Sequence, residues 1–314
     1  MSPRQSYELV NYALRPNKRT QRHLIFDTLG RYIAVFPRRD FGYIGFGSMW
    51  FADFLYAHRL LGLERLVSIE RSSGYRRALF NRPFRCIRVL RGDSSEVLPK
   101  LSWRRPELVW LDYDSKPSRE ALLDVSVLAA KLRSSSVVVV TYNAEAPTAT
   151  EERPGEAAEA WARNVFGDIM PPGQDYPGLH RATSYGSGLI SLLWTHLRSL
   201  LVQNGRSAEG YVWVPLFSFL YKDTVRMATV GAALLSNDDA CALAASRLSE
   251  LVAYPMGEVP FTIALPPLTH RERLAIDRCM PRGTPRLPFA LPTGQLEAYM
   301  RLYRHYPVFA EVDL

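Results

Sequence analysis

The sequence predicts an α/β protein with a doubly wound, mostly parallel sheet. Three observations lead there. Five short apolar segments between residues 43 and 142 alternate with helix-patterned stretches. The last of them, Val137-Val138-Val139-Val140, has no polar alternation, as befits a strand covered on both faces. Two longer strand-patterned stretches, 211–221 and 224–235, then follow as an antiparallel hairpin, giving seven expected strands.

The elements follow in order. Residues 1–35 read as an N-terminal helical leader, with Pro16 suited to a first helical turn and Leu24, Ile25, Leu29 and Ile33 along one side. A strand over 43–46 ends in Gly45-Phe46-Gly47-Ser48, and a helix over 49–61 carries Trp50, Phe54, Ala57 and Leu61 on one face. Strands at 66–69 and 86–90 flank a short helix at 75–80, and a helical SSEVLPKL follows Gly92-Asp93. A strand at 108–111 ends in Asp112-Tyr113-Asp114; Ser118 caps the next helix, with Glu120 in its first turn.

Residues 143–185 break the rhythm with Pro147, Pro154, Pro171, Pro172 and Pro177 among Glu151, Glu152, Glu156 and Glu159, an insertion that is either a lid or a passive excursion. A helix over 188–201 leads into the hairpin, whose turn is Lys222-Asp223. Thr269-His270-Arg271-Glu272 is a capping box, and a last helix over 293–306 carries Tyr299, Tyr303 and Tyr306. The expected organisation is a leader over 1–35, a sheet domain over 36–240 with an insertion at about 143–185, and a small α/β appendage over 241–314.

Composition narrows the class. With 47% hydrophobic and 22% charged residues the chain is neither mostly disordered nor a disulfide miniprotein. No apolar run reaches the roughly 18 residues that span a bilayer, and the start of the chain has no signal-peptide core. A soluble cytoplasmic protein without a membrane partner is expected. Cys86, Cys241 and Cys279 are far apart and read as reduced, small apolar side chains; the six histidines show no metal spacing, so no metal is expected. The formal net charge is +8, and only five of the 39 basic residues are lysine. Arginine's planar fork suits phosphate, although a GC-rich coding sequence gives the same bias. Local groups stand at Lys18, Arg19 and Arg22, at Arg38 and Arg39, and at Arg71, Arg76 and Arg77. This balance allows a nucleic-acid partner; the aromatic C-terminal helix allows a protein partner, though packing against the core is the commoner use of such rings.

Four features fall at the carboxyl ends of successive strands, where open α/β sheets bind ligands. At Gly45-Phe46-Gly47-Ser48 the glycines let a ligand approach the backbone, so that Gly47→Ala is expected to crowd it. Glu70 ends the strand LVSIE 23 residues after Gly47, a spacing at which an acid accepts hydrogen bonds from both hydroxyls of a ribose; otherwise it is a surface glutamate beside Arg71. Asp93, in Gly92-Asp93-Ser94-Ser95, is either an acceptor for an adenine amino group or a helix cap. Asp112 and Asp114 supply a base, a metal ligand or an orienting group, or else cap the following turn.

The stretch YIGFGSMWFADF … LVSIE … RGDSSEVLPKL … LVWLDYD … VVVVTYN, with the hairpin at 211–235, resembles the class I S-adenosylmethionine-dependent methyltransferases, especially their O-methyltransferase-like branch. The resemblance covers about 43–142 and 188–235. It implies a Rossmann-like sheet, S-adenosylmethionine as cofactor, and methyl transfer to an oxygen or nitrogen of an acceptor the sequence does not name. It implies that Gly45 and Gly47 lie under the methionine part of the cofactor, that Glu70 binds ribose, that Asp93 binds adenine, and that Asp112 lies nearest the transferred methyl. Phe46, Ser48 and Ser94 are counted with the cofactor-binding residues, and Asp112 and Asp114 as the catalytic acids. DYDS stands where an NPPY-like tetrapeptide would mark a DNA amino-methyltransferase. The turn has two of the usual three glycines, and Tyr43-Ile44 replaces the acid that usually precedes it. That departure motivates an alternative, a catalytically degenerate methyltransferase-like binding module of a larger, nucleic-acid-associated assembly. A nicotinamide-dependent oxidoreductase is disfavoured by the antiparallel ending.

Overall fold

The computed structural model describes residues 15–147, 154–170, 176–179 and 181–307. Glu151, Glu152, Pro171 and Pro172 of the expected insertion, and the first 14 residues, lie outside them. The sheet contains β1 (Gly42–Gly45), β2 (Leu66–Glu70), β3 (Ile87–Arg91), β4 (Glu107–Asp112), β5 (Ser136–Asn143), β6 (Tyr211–Lys222), β7 (Arg226–Ser236) and β8 (Phe261–Ile263). Their order is β3-β2-β1-β4-β5-β7-β6-β8. β1 to β5 are parallel, β7 runs antiparallel between β5 and β6, and β8 lies parallel to β6. The expected strands are all present; β8 is an eighth, contributed by the segment expected as an appendage. The strand order reverses between β1 and β4, which opens a crevice at their carboxyl ends.

Helices cover both faces. α1 (Pro16–Val35), α2 (Ala52–Arg59) and α8 (Asn237–Ala245) lie on the face bearing Tyr43, Leu108, Trp110, Val137 and Val139. Between α2 and β3, α3 (Tyr75–Asn81) flanks the sheet; α4 (Ser94–Val97) follows β3. α5 (Arg119–Lys131), α6 (Pro154–Phe166) and α7 (Tyr185–Gln203) pack on the opposite face, against Ile44, Val109, Leu111, Val138 and Val140. Side chains alternate along a strand, so the uninterrupted valine run of β5 divides between two apolar layers.

α1 is part of this core rather than a leader to it. Leu24, Ile25, Phe26, Leu29 and Tyr32 are at most 1% exposed. Most of the polar groups it buries have partners, which offsets their desolvation. Gln21 donates to Thr229 Oγ1 at 2.5 Å, the Thr229 hydroxyl lies 2.8 Å from that of Thr141, and the Trp110 indole donates to Thr141 at 3.0 Å. This polar seam joins α1 to β7, β5 and β4.

Several local expectations change for identifiable reasons. The helix after β1 starts only at Ala52, because Ser48 and Phe51 adopt left-handed φ of 49° and 47° and hold a turn instead. Trp50, expected on the buried face, is therefore half exposed. Pro215 cannot donate to a ladder, and the β6–β7 register shifts between Pro215 and Phe217. Gly231 has no Cβ where the Phe217 ring lies. Cys241 is exposed, contrary to its expected use as a buried apolar residue, whereas Cys86 and Cys279 are half-buried. The caps at Ser118 and Thr269 form as expected. The latter opens α9 (His270–Asp277), which follows a single helical turn at Leu248–Leu251; α10 is Gln295–Leu302. Tyr299 is 2% exposed and donates to Asp277, and Tyr306 donates to the Pro266 carbonyl, so these rings pack within the appendage. No helix among the described residues is long and apolar enough to cross a membrane.

Glu107 begins β4, at the end of the sheet away from the crevice. It is 7% exposed, its carboxylate lies where a Cβ on Gly42 would stand, and burial, with Asp40 nearby, pushes its pKa up to about 8. Between its ordinary value of 4.5 and about 8 the folded chain therefore holds a proton that the unfolded chain releases. Stability contributed by this group is present at the acid end and is lost as pH rises through that window. Urea midpoints measured from pH 5 to 9 are expected to fall for the natural chain and to flatten for Glu107→Gln; parallel profiles would show that Glu107 ionises freely.

Candidate functional site

The turn after β1 closes on its own neighbours. The Gly47 amide donates to Ser68 Oγ at 3.0 Å, and the Ser68 hydroxyl donates to Glu70 Oε1 at 2.8 Å. Ser68 and Glu70 are two apart on β2 and so share a face. Burial raises the pKa of Glu70, and hydrogen bonds from Ser68 and from the amides of Ser48 and Gly47 offset part of that rise. Glu70 is 9% exposed, so it is not the surface glutamate paired with Arg71. A Cβ on Gly47 would stand 2.5 Å from the Phe51 ring and 2.6 Å from Ser68 Oγ. The expectation that Gly47→Ala crowds a ligand is thus corrected: the protein's own side chains are crowded first. Gly45 faces the Trp110 carbonyl and the Tyr43 hydroxyl in the same way. The left-handed Ser48 and Phe51 concentrate backbone strain of order 1–3 kcal/mol each in this turn.

Asp93 follows β3 and occupies the N-cap position of α4, yet its side chain caps nothing. It is exposed and accepts from Arg71 Nε at 2.9 Å. Ser94 instead donates to Asp124 of α5 at 2.5 Å, and Tyr113 donates to the same oxygen at 2.6 Å. Asp124 is 2% exposed; burial raises its pKa against the pull of these two donors. The Tyr113 ring stacks on Tyr142 at 5.1 Å with a 2° interplanar angle, and Phe46 meets Tyr113 edge-on at 5.3 Å. An aromatic wall therefore stands between the first and fourth strand ends.

Asp112 is held by a residue that lies 94 positions earlier. Lys18 Nζ is 2.6 Å from both carboxylate oxygens, and the lysine is 3% exposed. Its ammonium sits 5.0 Å from the Trp110 ring centroid and 5.6 Å from that of Tyr221. One helical turn later Arg22 pairs with Asp53. Burial alone would lower the Arg22 pKa; Asp53 and Asp112 more than reverse it. The hairpin fixes this register. Asp223 accepts from the amides of Asn17 and Lys18 at 3.0 Å each, capping α1 where Arg15 provides no side-chain cap. Asp114 is exposed in the loop beyond.

The structure thus brings Gly45, Gly47, Ser48 and Glu70 together, sets Asp112 beside them across the β1–β4 crevice, and leaves Asp93 and Asp114 at the surface. Ser94 turns to Asp124. Sequence reasoning missed Lys18, Arg22, Asp53, Ser68, Tyr113 and Asp124. The two-residue spacing of Ser68 and Glu70 and the four-residue spacing of Lys18 and Arg22 were available as signals; the partners of Asp112 and Asp124 were not. No group of three or more His, Cys, Asp or Glu residues among the described residues is arranged to hold a metal ion.

A family model, Methyltransf_35, described as "Putative O-methyltransferase", matches residues 10–314. No curated protein matches the chain in sequence. Among solved structures, Trm1 from Pyrococcus horikoshii with S-adenosyl-L-methionine is 10% identical, over 80% of this chain and 61% of that one, with a TM-score of 0.47. Cofactor-bound Rv0187 from MTB is 15% identical, over 67% and 79%, with a TM-score of 0.35. LepI C52A in complex with SAH and a substrate analogue is 12% identical over 62% of this chain, with a TM-score of 0.33, and the match spans only 43% of that chain. At TM-scores below 0.5 these likenesses assign no function.

Removing Lys18 strands a carboxylate inside the protein. Lys18→Met is expected to destabilise the fold by about 3 kcal/mol, the lower end for buried pairs because the Asp112 side chain is 19% exposed. The double variant Lys18→Met/Asp112→Asn is expected to recover much of that loss in urea titrations. Strictly additive losses would show that the two groups do not interact.

Proposed function

The chain belongs to the Methyltransf_35 family, and from that premise we propose that it is an S-adenosylmethionine-dependent methyltransferase acting on an oxygen or nitrogen. The observation that carries this reading is the placement of Glu70, Asp93 and Asp112 at the carboxyl ends of β2, β3 and β4, around the point where the strand order reverses.

The donor set suits the nucleoside half of that cofactor. A carboxylate offers about four acceptor positions. Ser68 donates to Glu70, and the amides of Ser48 and Gly47 stabilise its charge, which leaves acceptor capacity for a ribose hydroxyl. Asp93 is exposed and turned to Arg71, where it is accessible to an exocyclic amine. When bound, the cofactor supplies an electrophilic methyl on a sulfonium centre.

Asp112 then serves as an orienting group. Lys18 balances its charge, and its remaining lone pairs accept a hydrogen bond from the acceptor's hydroxyl or amine. Taking a proton outright would disrupt the pair with Lys18, so alignment of the nucleophile is the larger contribution. The Phe46, Tyr113 and Tyr142 wall limits water beside it. The second reading, a catalytically degenerate binding module, is favoured by one observation: the Gly47 amide, the Ser68 hydroxyl and Glu70 are engaged with one another.

Calorimetric titration with S-adenosylmethionine separates the two. The natural chain is expected to bind with measurable heat, and Glu70→Gln to bind about tenfold more weakly, as for loss of a charge-assisted hydrogen bond. Because burial raises the pKa of Glu70, affinity is expected to fall on acidification sooner than it would at an ordinary glutamate. No heat together with no rise in melting temperature favours the degenerate module.

A further inference from the structure

The net charge of the chain is concentrated in one segment. Between Arg59 and Arg91 stand nine arginines and two glutamates, a net +7 of the whole chain's +8. All nine, Arg59, Arg65, Arg71, Arg76, Arg77, Arg82, Arg85, Arg88 and Arg91, are exposed. Arg59 ends α2 and Arg65 lies just before β2; the other seven lie on α3, on the loops beside it and on β3, which is the edge strand of the sheet. Asp40 pairs with Arg65, and Asp93 with Arg71. Arg76, Arg85 and Arg88 have no carboxylate partner among the described residues. Beside the crevice, by contrast, Lys18 and Arg22 are buried and each is paired with a carboxylate.

The same face presents an aromatic ring. Phe80 is 87% exposed, the highest value among the exposed large apolar side chains of the described residues. On α3 it is four residues from Arg76 and three from Arg77, spacings that put all three on one side of a helix. A ring flanked by guanidinium groups offers a stacking platform beside phosphate-binding forks. Protection of an edge strand would need charge only along β3, and no exposed ring. A membrane surface is disfavoured because α3 has seven residues and one strongly exposed ring, not a broad apolar face. The face also opens onto the strand ends: Arg71 directly follows Glu70, and Arg91 lies two residues before Asp93.

We propose that the β3 edge and α3 form a binding surface for a single-stranded polynucleotide, its phosphates on Arg76, Arg77, Arg85 and Arg88 and a base stacked on Phe80. This surface goes beyond the methyltransferase reading and does not require it. The polymer runs toward Arg71 and Asp93, which makes it the acceptor class that this reading would favour.

The test is fluorescence anisotropy of the full chain with a fluorescein-labelled 20-nucleotide single strand, as RNA and as DNA of the same sequence, titrated at several salt concentrations. Saturable binding that weakens steeply with salt is expected. Arg76→Glu/Arg77→Glu/Arg88→Glu is expected to weaken it at least about 30-fold and to lower the salt slope by up to about 3. Phe80→Ala is expected to weaken it about five- to tenfold at an unchanged salt slope, the signature of lost stacking. Arg271→Glu/Arg282→Glu/Arg286→Glu on the appendage, an equal charge change at exposed sites, is expected to stay within about twofold, which marks the effect as local. Equal losses in both triple variants, no loss in the α3 variant, or tighter binding to anionic lipid vesicles than to either oligonucleotide would overturn the proposal. Calorimetry with S-adenosylmethionine on the α3 variant keeps the two readings apart, because its cofactor heat is expected to match the natural chain's whether or not oligonucleotide binding is lost.

Discussion

The ion pair between Lys18 and Asp112 ties the first helix to the crevice, and much of the local geometry depends on it. Two carboxylates and two cations meet there out of water, an arrangement stable only when each charge has its partner. Lys18 and Arg22 reach Asp112 and Asp53 because α1 is held in register, and the register is set by Asp223 in the turn of the β6–β7 hairpin, about 200 residues later. A helix residue, a strand-end acid and a turn acid that are remote in sequence thus act as one unit. The same unit decides what Asp112 can do: it presents an oriented, charge-balanced acceptor to the crevice.

A second closed unit stands across the crevice. Gly47, Ser68 and Glu70 form a chain of hydrogen bonds that fixes the turn after β1, while Phe51 fills the space a side chain on Gly47 would need. Strained Ser48 and Phe51 belong to this unit, and strain of that kind persists only where the surroundings over-determine the backbone. The glycines therefore answer first to packing inside the protein. Methyl transfer demands a fixed distance and direction between two reactants, and a rigid turn facing a tethered acid is suited to that demand.

Charge is distributed by a simple rule. Inside, it is paired one to one at the base of α1; outside, it accumulates on one edge of the sheet. The inner pairs answer to the desolvation penalty, which makes an unmatched buried ion costly. The outer excess lies in water, where unmatched charge is tolerated and acts at a distance on polyanions.

The order of elements, the parallel sheet and its antiparallel ending were legible in the sequence, because they rest on short-range periodicity: Val137 to Val140 announce a doubly covered strand, and Ser118 and Thr269 announce helix starts. The acids at the strand ends were legible for the same reason, since a strand's end fixes where its last residue points. What each acid touches was decided by the tertiary structure. Asp112 meets Lys18, Ser94 turns to Asp124, and Gly47 makes room for Phe51, all through contacts between segments that no local pattern links. Hydrogen bonds and ion pairs act over a few ångströms in space, and only the packed fold decides which distant residues come that close.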